Sequence, residues 1–306
     1  MLQSRNVFAS LTLIFAMAIW GSSFVAFKFV LEGFSPLQAV AFRMLTASLV
    51  FSLFLPLILQ QQIERKDIKF LILMSLAEPC IYFMFEAWAL KLTTASEAGV
   101  VTAMLPLIVA VLAGWILGEQ VRKNHLAGIL LTVPGVIWLT FSGSPSDQAS
   151  NPMLGNFLEF IAMVSAAFYT IILKSLSARY SSLFLTAFQS VIGLLFFMPI
   201  MLLVDGLPDF ALWPANLGVL YLGVVVTLGG YGIYNFSVRF LPATQVVMFS
   251  NLIPVFTLLF AFLILDEHIR LSQWYAVALI IGGVVVSQIS FRPTKAIEFD
   301  SVDISS

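Results

Sequence analysis

Charge is the scarcest property of this chain. Only 10% of its 306 residues are Asp, Glu, Lys or Arg, against about 25% in ordinary soluble proteins. The 15 basic and 16 acidic residues nearly cancel, leaving −1, too little to steer a polyanion, so a nucleic-acid binder with a basic face is excluded. One cysteine, Cys80, rules out an internal disulfide and leaves the redox compartment open. The two histidines, His125 and His268, are isolated from each other and from any ligand pattern, so no metal is expected. No Gly-x-x-x-x-Gly-Lys-Ser/Thr run occurs, which excludes nucleotide-driven work by this chain alone, and no cofactor is expected.

Apolar residues are what the chain has instead, at 60% of the total and a mean hydropathy of +1.00. A large core cannot account for such values; apolar groups must cover the outside as well. Crossing ~30 Å of hydrocarbon takes about 20 mostly apolar residues. Ten windows qualify: 7–30, 37–59, 70–90, 95–117, 124–142, 154–173, 182–204, 212–236, 243–265 and 272–291. These are continuous runs and not the alternating segments of a β-barrel. The first has no small-residue cleavage site followed by soluble sequence and reads as a retained span. The chain therefore reads as an all-α polytopic membrane protein in contact with lipid.

Orientation follows from the basic residues between the windows. With the N-terminus inside, eleven fall on the inner side (Arg5, Arg65, Lys66, Lys69, Arg122, Lys123, Lys174, Arg179, Arg239, Arg292, Lys295) and three outside (Lys28, Lys91, Arg270). Both termini are expected in the cytoplasm, with the body in the plasma membrane, which is the inner membrane of a bacterial cell.

The chain also resembles itself. Ala95-Ser96-Glu97, Pro106, Glu119, Arg122 and Gly135 return as Ala243-Thr244-Gln245, Pro254, Glu267, Arg270 and Gly283 at a constant spacing of 148. The front ends agree at 146, pairing Lys28 with Lys174 and Phe42 with Phe188. Five spans is an odd number, so the second copy must lie upside down. The expected plan is ten transmembrane helices as two inverted five-helix repeats, residues 1–144 and 153–291, joined by a linker at 145–152 and followed by a cytoplasmic tail at 292–306. Inverted repeats permit two near-equivalent packings, each open to one side of the membrane. Pro106 and Pro254, near mid-span, are candidates for kinks or gates beside a cavity. Gly21-Ser22-Ser23 and Gly229-Gly230-Tyr231-Gly232 fit close helix packing first.

Trp20-Gly21-Ser22-Ser23-Phe24, Ser35-Pro36 with Phe42-Arg43, and the two apolar spans with a central Pro that end in Gly118-Glu119 or Asp266-Glu267 are together similar to the EamA-type branch of the drug/metabolite transporter superfamily. The resemblance covers residues 7–291. It implies a secondary transporter, often an exporter, of amino acids, other metabolites or drugs, with a central cavity between the halves. Three features depart from that pattern: Asp266 stands where Gly is usual, Gln189 aligns with Arg43, and the acidic residues of the third span are not general to the family.

Ionisable groups inside spans cost about 2.5–3.5 kcal/mol each on insertion scales and mark partners or function. Arg43, Glu86 and Glu159 fall ~10, ~6 and ~8 Å below the outer surface, and Glu78 ~18 Å down, near the midplane. Glu78, Tyr82 and Glu86 share a helix face. One Arg against three Glu leaves an excess of negative charge, so at least one carboxyl is expected to hold a proton or to meet a cationic cargo. Arg43 is expected to pair with Glu86 or with Glu159, and Glu78 to carry a proton or touch cargo. Trp20, Tyr82, Tyr231, Tyr234, Asn235 and Asn251 complete the candidate cavity. Glu97 is expected to be interfacial, and Glu119 and Glu267 to cap or tie turns.

The leading expectation is a secondary active transporter of small amphipathic solutes, amino-acid-like or cationic, driven by protons or by the solute gradient. A broad multidrug exporter is the alternative. A membrane-embedded enzyme is remote, because Glu78 and Glu86 lie ~12 Å apart along one helix, too far to act on one reacting atom. Monomer and dimer both stay open.

Overall fold

A computed structural model describes residues 2–117, 123–142, 145–146, 149–240 and 249–288. The expectations for Gly118, Glu119, Arg122, Ala243, Thr244, Gln245 and the tail at 292–306 fall outside the described residues.

Among the described residues, six helices are long and apolar enough to cross a membrane: α1 (Leu11–Leu31), α3 (Arg65–Leu92), α4 (Ala95–Leu112), α6 (Pro152–Ser177), α7 (Ser182–Val204) and α8 (Trp213–Ser237). Four shorter apolar helices accompany them: α2 (Pro36–Ser52), α5 (Leu126–Ser142), α9 (Leu252–Leu265) and α10 (Leu271–Val286). The outer faces of these helices carry Leu203, Leu130, Phe141, Leu195 and Leu263, all strongly exposed. Such a surface is stable only against lipid, and the chain is an all-α, multi-pass membrane protein.

Local sequence sets where helices begin. Ser35 accepts the Gln38 N–H at 3.1 Å while the Gln38 side chain accepts the Ser35 N–H at 2.9 Å, a capping box with Pro36 in the first turn of α2. Ser181, 146 residues later, caps α7 through the Phe184 N–H at 3.2 Å. Asn151 caps α6 ahead of Pro152, and Thr94 caps α4 through the Glu97 N–H at 3.1 Å.

Two helices depart from regular winding, at related places in the halves. In α3, Glu78 is extended (φ −145°, ψ 117°) and Pro79, the next residue, has no N–H to give. The freed Ala77 carbonyl accepts Ser165 Oγ of α6 at 2.7 Å, and the Glu78 carbonyl accepts Gln189 Nε2 of α7 at 2.8 Å. In α8 the turns over Leu222–Tyr231 are wider than α-helical ones, and Thr227 Oγ1 donates back to the Leu222 carbonyl at 2.8 Å. Irregular backbone at membrane depth is tolerated where protein supplies the missing partners. Of the two prolines expected to kink helices, Pro106 follows a tight turn at Thr102–Met104, whereas Pro254 occupies the first turn of α9, where a missing N–H costs little.

The packing maps onto itself when the halves are exchanged. Helix α1 packs on α8 and α9, as α6 packs on α3 and α4. The pairs α2–α7, α4–α9 and α5–α10 join equivalent helices. At the α5–α10 contact, Gly135 lies against Ile280 and Gly283 against Thr132, two contacts related by the 148-residue spacing. A Cβ on Gly283 would meet the Gly128 carbonyl at 2.7 Å and the Thr132 nitrogen at 2.8 Å, so only glycine lets these backbones approach.

Candidate functional site

The helices from both halves meet around a narrow chamber of about 40 Å³, lined mainly by apolar surface into which a few charged and polar side chains are set. That is room for a few waters and far below the ~300–1,000 Å³ of a ligand pocket.

Its lining follows the repeat. Trp20, Ser23 and Phe24 of α1 are matched by Ala166, Tyr169 and Thr170 of α6, each 146 residues on, and Leu105 and Glu86 by Ile253 and Tyr234, each 148 residues on. Equivalent positions carry unlike chemistry, so the chamber is polar and acidic on one side and aromatic on the other.

Arg43, 2% exposed, supplies the positive charge. Its guanidinium lies 3.8 Å from Glu86 Oε2, donates through Nε to Thr227 Oγ1 of the second half at 3.1 Å, and sits 3.9 Å from the centre of the Phe83 ring. Glu86 also accepts the Tyr82 hydroxyl at 2.6 Å. Glu78, at the break in α3, accepts the hydroxyl of Tyr231 from α8. Each chamber carboxyl is thus held by a tyrosine, one from its own helix and one from across the interface. Trp20 stands over Tyr231 and Tyr234, with ring centres 5.0 and 4.9 Å away. Gly230 makes this stacking possible, since a Cβ there would reach within 2.7 Å of Trp20 Nε1. That indole N–H is buried without a partner among the described residues.

Of the residues singled out from the sequence, Trp20, Arg43, Glu78, Tyr82, Glu86, Tyr231 and Tyr234 come together on this chamber. Three do not line it. Asn235 stands behind, accepting the Tyr169 hydroxyl at 2.8 Å and donating to Thr186 Oγ1 at 2.9 Å; it positions a lining residue. Asn251 precedes the first turn of α9. Glu159 is buried in α6, outside the lining. The ion pair of Arg43 is therefore with Glu86. Tyr169, Thr170 and Thr102 were not singled out, although carrying the Trp20 region forward by 146 residues leads directly to the first two.

A second, more polar cavity of about 210 Å³ lies where the start of α4 meets the α9–α10 turn. Glu267 accepts the N–H groups of Ala95 and Ser96 at 3.0 and 2.8 Å, so it does cap a helix, one from the other half. Glu97, expected at the interface, is instead buried and bonded to Gln273 Nε2 at 2.6 Å, Asn156 Nδ2 at 2.8 Å and Thr93 Oγ1 at 3.1 Å. The correction arises because three donors from α3, α6 and α10 converge on one carboxyl, which no linear pattern reveals. Asp266, standing where the family pattern has Gly, adopts a left-handed conformation (φ 54°), which accounts for the usual glycine.

A lipid-facing helical shell around a narrow chamber that holds buried charged residues and is lined from both halves is the architecture of a membrane transporter. The EamA-like transporter family model matches the chain twice, over residues 7–141 and 153–288, and the chain belongs to that family. It is 30% identical over 301 residues to the uncharacterized transporter YetK of Bacillus subtilis (strain 168), covering 96% of this chain and 91% of that one. It is 24% identical over 297 residues to a probable amino-acid metabolite efflux pump of Escherichia coli (strain K12), covering 93% and 96%. A protein crystal structure at 20% identity superposes with a TM-score of 0.65 over 91% of this chain and 97% of the other, which shows a shared fold.

Proposed function

We propose that this chain is a secondary active transporter that exports small amphipathic metabolites, amino acids or related cationic solutes, by alternating access. In this reading ten spans form two inverted repeats, residues 1–144 and 153–291, with both termini cytoplasmic in a bacterial inner membrane. The exchange symmetry of the packing and the double family match support that plan. The carrying observation is the narrow chamber, lined at repeat-related positions by both halves, in which Arg43, Glu78, Glu86 and the unpartnered Trp20 N–H converge. A solute with a carboxylate or carbonyl would take Trp20 and Arg43, and its ammonium would take the Glu86 and Glu78 side. The small volume means that solute enters only when the halves part.

The wall of Trp20, Tyr231 and Tyr234 favours a second reading, a broad exporter of aromatic cations, because aromatic faces attract cations by about 0.5–2 kcal/mol each. No reaction is assigned: the chamber carboxyls are held by tyrosine hydroxyls and face no activated nucleophile, which favours a transporter over an enzyme. A thermal-shift screen of the purified protein separates the readings, since a ligand of the folded state raises the melting temperature. Amino acids or amines that stabilise the wild type and not Trp20→Ala support the first reading, and stabilisation by many unrelated aromatic cations supports the second. If no compound of either class shifts melting or shows counterflow in proteoliposomes, the function proposed here is wrong.

A further inference from the structure

Six acidic side chains are buried among the described residues: Asp67, Glu78, Glu86, Glu97, Glu159 and Glu267. Five have partners. Asp67 takes Arg179 and the Tyr180 hydroxyl, Glu78 takes Tyr231, and Glu86 takes Tyr82 and Arg43. Glu97 takes three side-chain donors and Glu267 two backbone N–H groups. Glu159 alone has both carboxyl oxygens buried with no partner among the described residues, at 0% exposure.

Its surroundings offer no compensation. The charged group that acts on it electrostatically is Glu86 of α3, and Tyr82 of the same helix feels both carboxyls. One turn earlier on α6, Asn156 is committed to Glu97 of α4. The lysine on this side, Lys28 of α1, donates to the Thr93 carbonyl. From α8, Tyr231 and Tyr234 face the chamber, and α5 brings no described ionisable side chain to this side. A carboxylate so placed, beside another carboxylate, would be strongly unfavourable, whereas a neutral carboxyl forgoes only hydrogen bonds. One guanidinium serves two adjacent acids, and it is engaged with Glu86.

We propose that Glu159 is a proton-binding site that exchanges its proton for an organic cation, an ammonium or guanidinium group. While the chamber is closed, Glu159 is neutral. When the halves part, the Glu159 O–H bond breaks, the proton passes to water on the open side, and the carboxylate left behind pairs with the arriving cation beside Glu86. One positive charge leaves as one enters, so the buried cluster keeps its net charge. Glu159 is on α6, against which α3 packs with the lining residues Tyr82 and Glu86, so a parting of the two helices would open a way to it. This inference rests on the transporter reading and adds to it the coupling group and the charge of the cargo.

Infrared spectroscopy of the protein in lipid tests the proton. At neutral pH the wild type should show a neutral carboxylic-acid carbonyl band that diminishes in Glu159→Gln and persists in Glu86→Gln. Glu159→Gln should melt close to the wild type, because an amide replaces a neutral acid, whereas loss of a structural carboxylate would lower melting. Butylamine and lysine, each of net charge +1 at neutral pH, are the probes for exchange. In weakly buffered solution, binding of either should release a proton from the wild type and none from Glu159→Gln. A carboxylic-acid band unchanged in Glu159→Gln, binding without proton release, or failure of the wild type to bind both probes overturns the proposal. Counterflow of leucine in wild-type proteoliposomes needs no exchange at Glu159, so it tests the transporter reading separately.

Discussion

Replacing Arg43 with Gln isolates the strongest electrostatic element of the chamber. The guanidinium and the Glu86 carboxylate are both buried, and the remaining Arg43 contacts are the Thr227 hydroxyl and the Phe83 ring. Glutamine can still bond Thr227, but it leaves Glu86 charged with only the Tyr82 hydroxyl to hold it. Breaking a buried pair from one side costs about 3–5 kcal/mol, and loss of a desolvated cation–ring contact adds up to about 2 kcal/mol. Melting followed by tryptophan fluorescence in detergent should therefore fall by on the order of 10 °C. The double variant Arg43→Gln/Glu86→Gln removes the stranded charge and should recover most of that loss, with a coupling of about 1–3 kcal/mol in the double-mutant cycle. Arg43→Gln/Glu159→Gln should recover little, because Arg43 makes its ion pair with Glu86. Equal or better recovery with Glu159→Gln would refute this pairing, as would an Arg43→Gln protein melting within a degree or two of the wild type.

Gly283→Ala should cost about 1–3 kcal/mol by forcing α5 and α10 apart, while Gly282→Ala, whose Cβ meets nothing within 4 Å, should melt like the wild type; equal melting of the two variants would contradict the α5–α10 contact. Asp266→Gly should raise stability by on the order of 0.5–1 kcal/mol by relieving the left-handed residue, read as a higher melting temperature, since its exposed pair with His268 contributes little. Reporter fusions between α4 and α5 should read cytoplasmic and those between α5 and α6 periplasmic; reversal of both would overturn the orientation and the inversion of the repeats.

Membrane class and family were legible without coordinates, because each depends on properties local to a run of residues. Apolar length decides what can cross lipid, and a repeat with Pro, Glu, Arg and Gly in one register survives much other substitution. Most of the chamber was legible for a related reason: an Arg, a Glu or a Tyr inside a lipid-length helix must face protein, and the faces available to it are few. What the sequence left open are matters of pairing and register between distant helices. It offered Glu86 and Glu159 equally to Arg43, and only the packing of α2, α3 and α6 gave the guanidinium to one and left the other bare. It placed kinks at Pro106 and Pro254, whereas the main break falls at Glu78–Pro79, where Ser165 and Gln189 arrive from other helices to take the freed carbonyls. It put Glu97 at the membrane surface, yet donors from three helices enclose it. In each case the deciding energy belongs to a contact between residues far apart in the chain, and only the folded arrangement of both halves brings those groups within bonding distance.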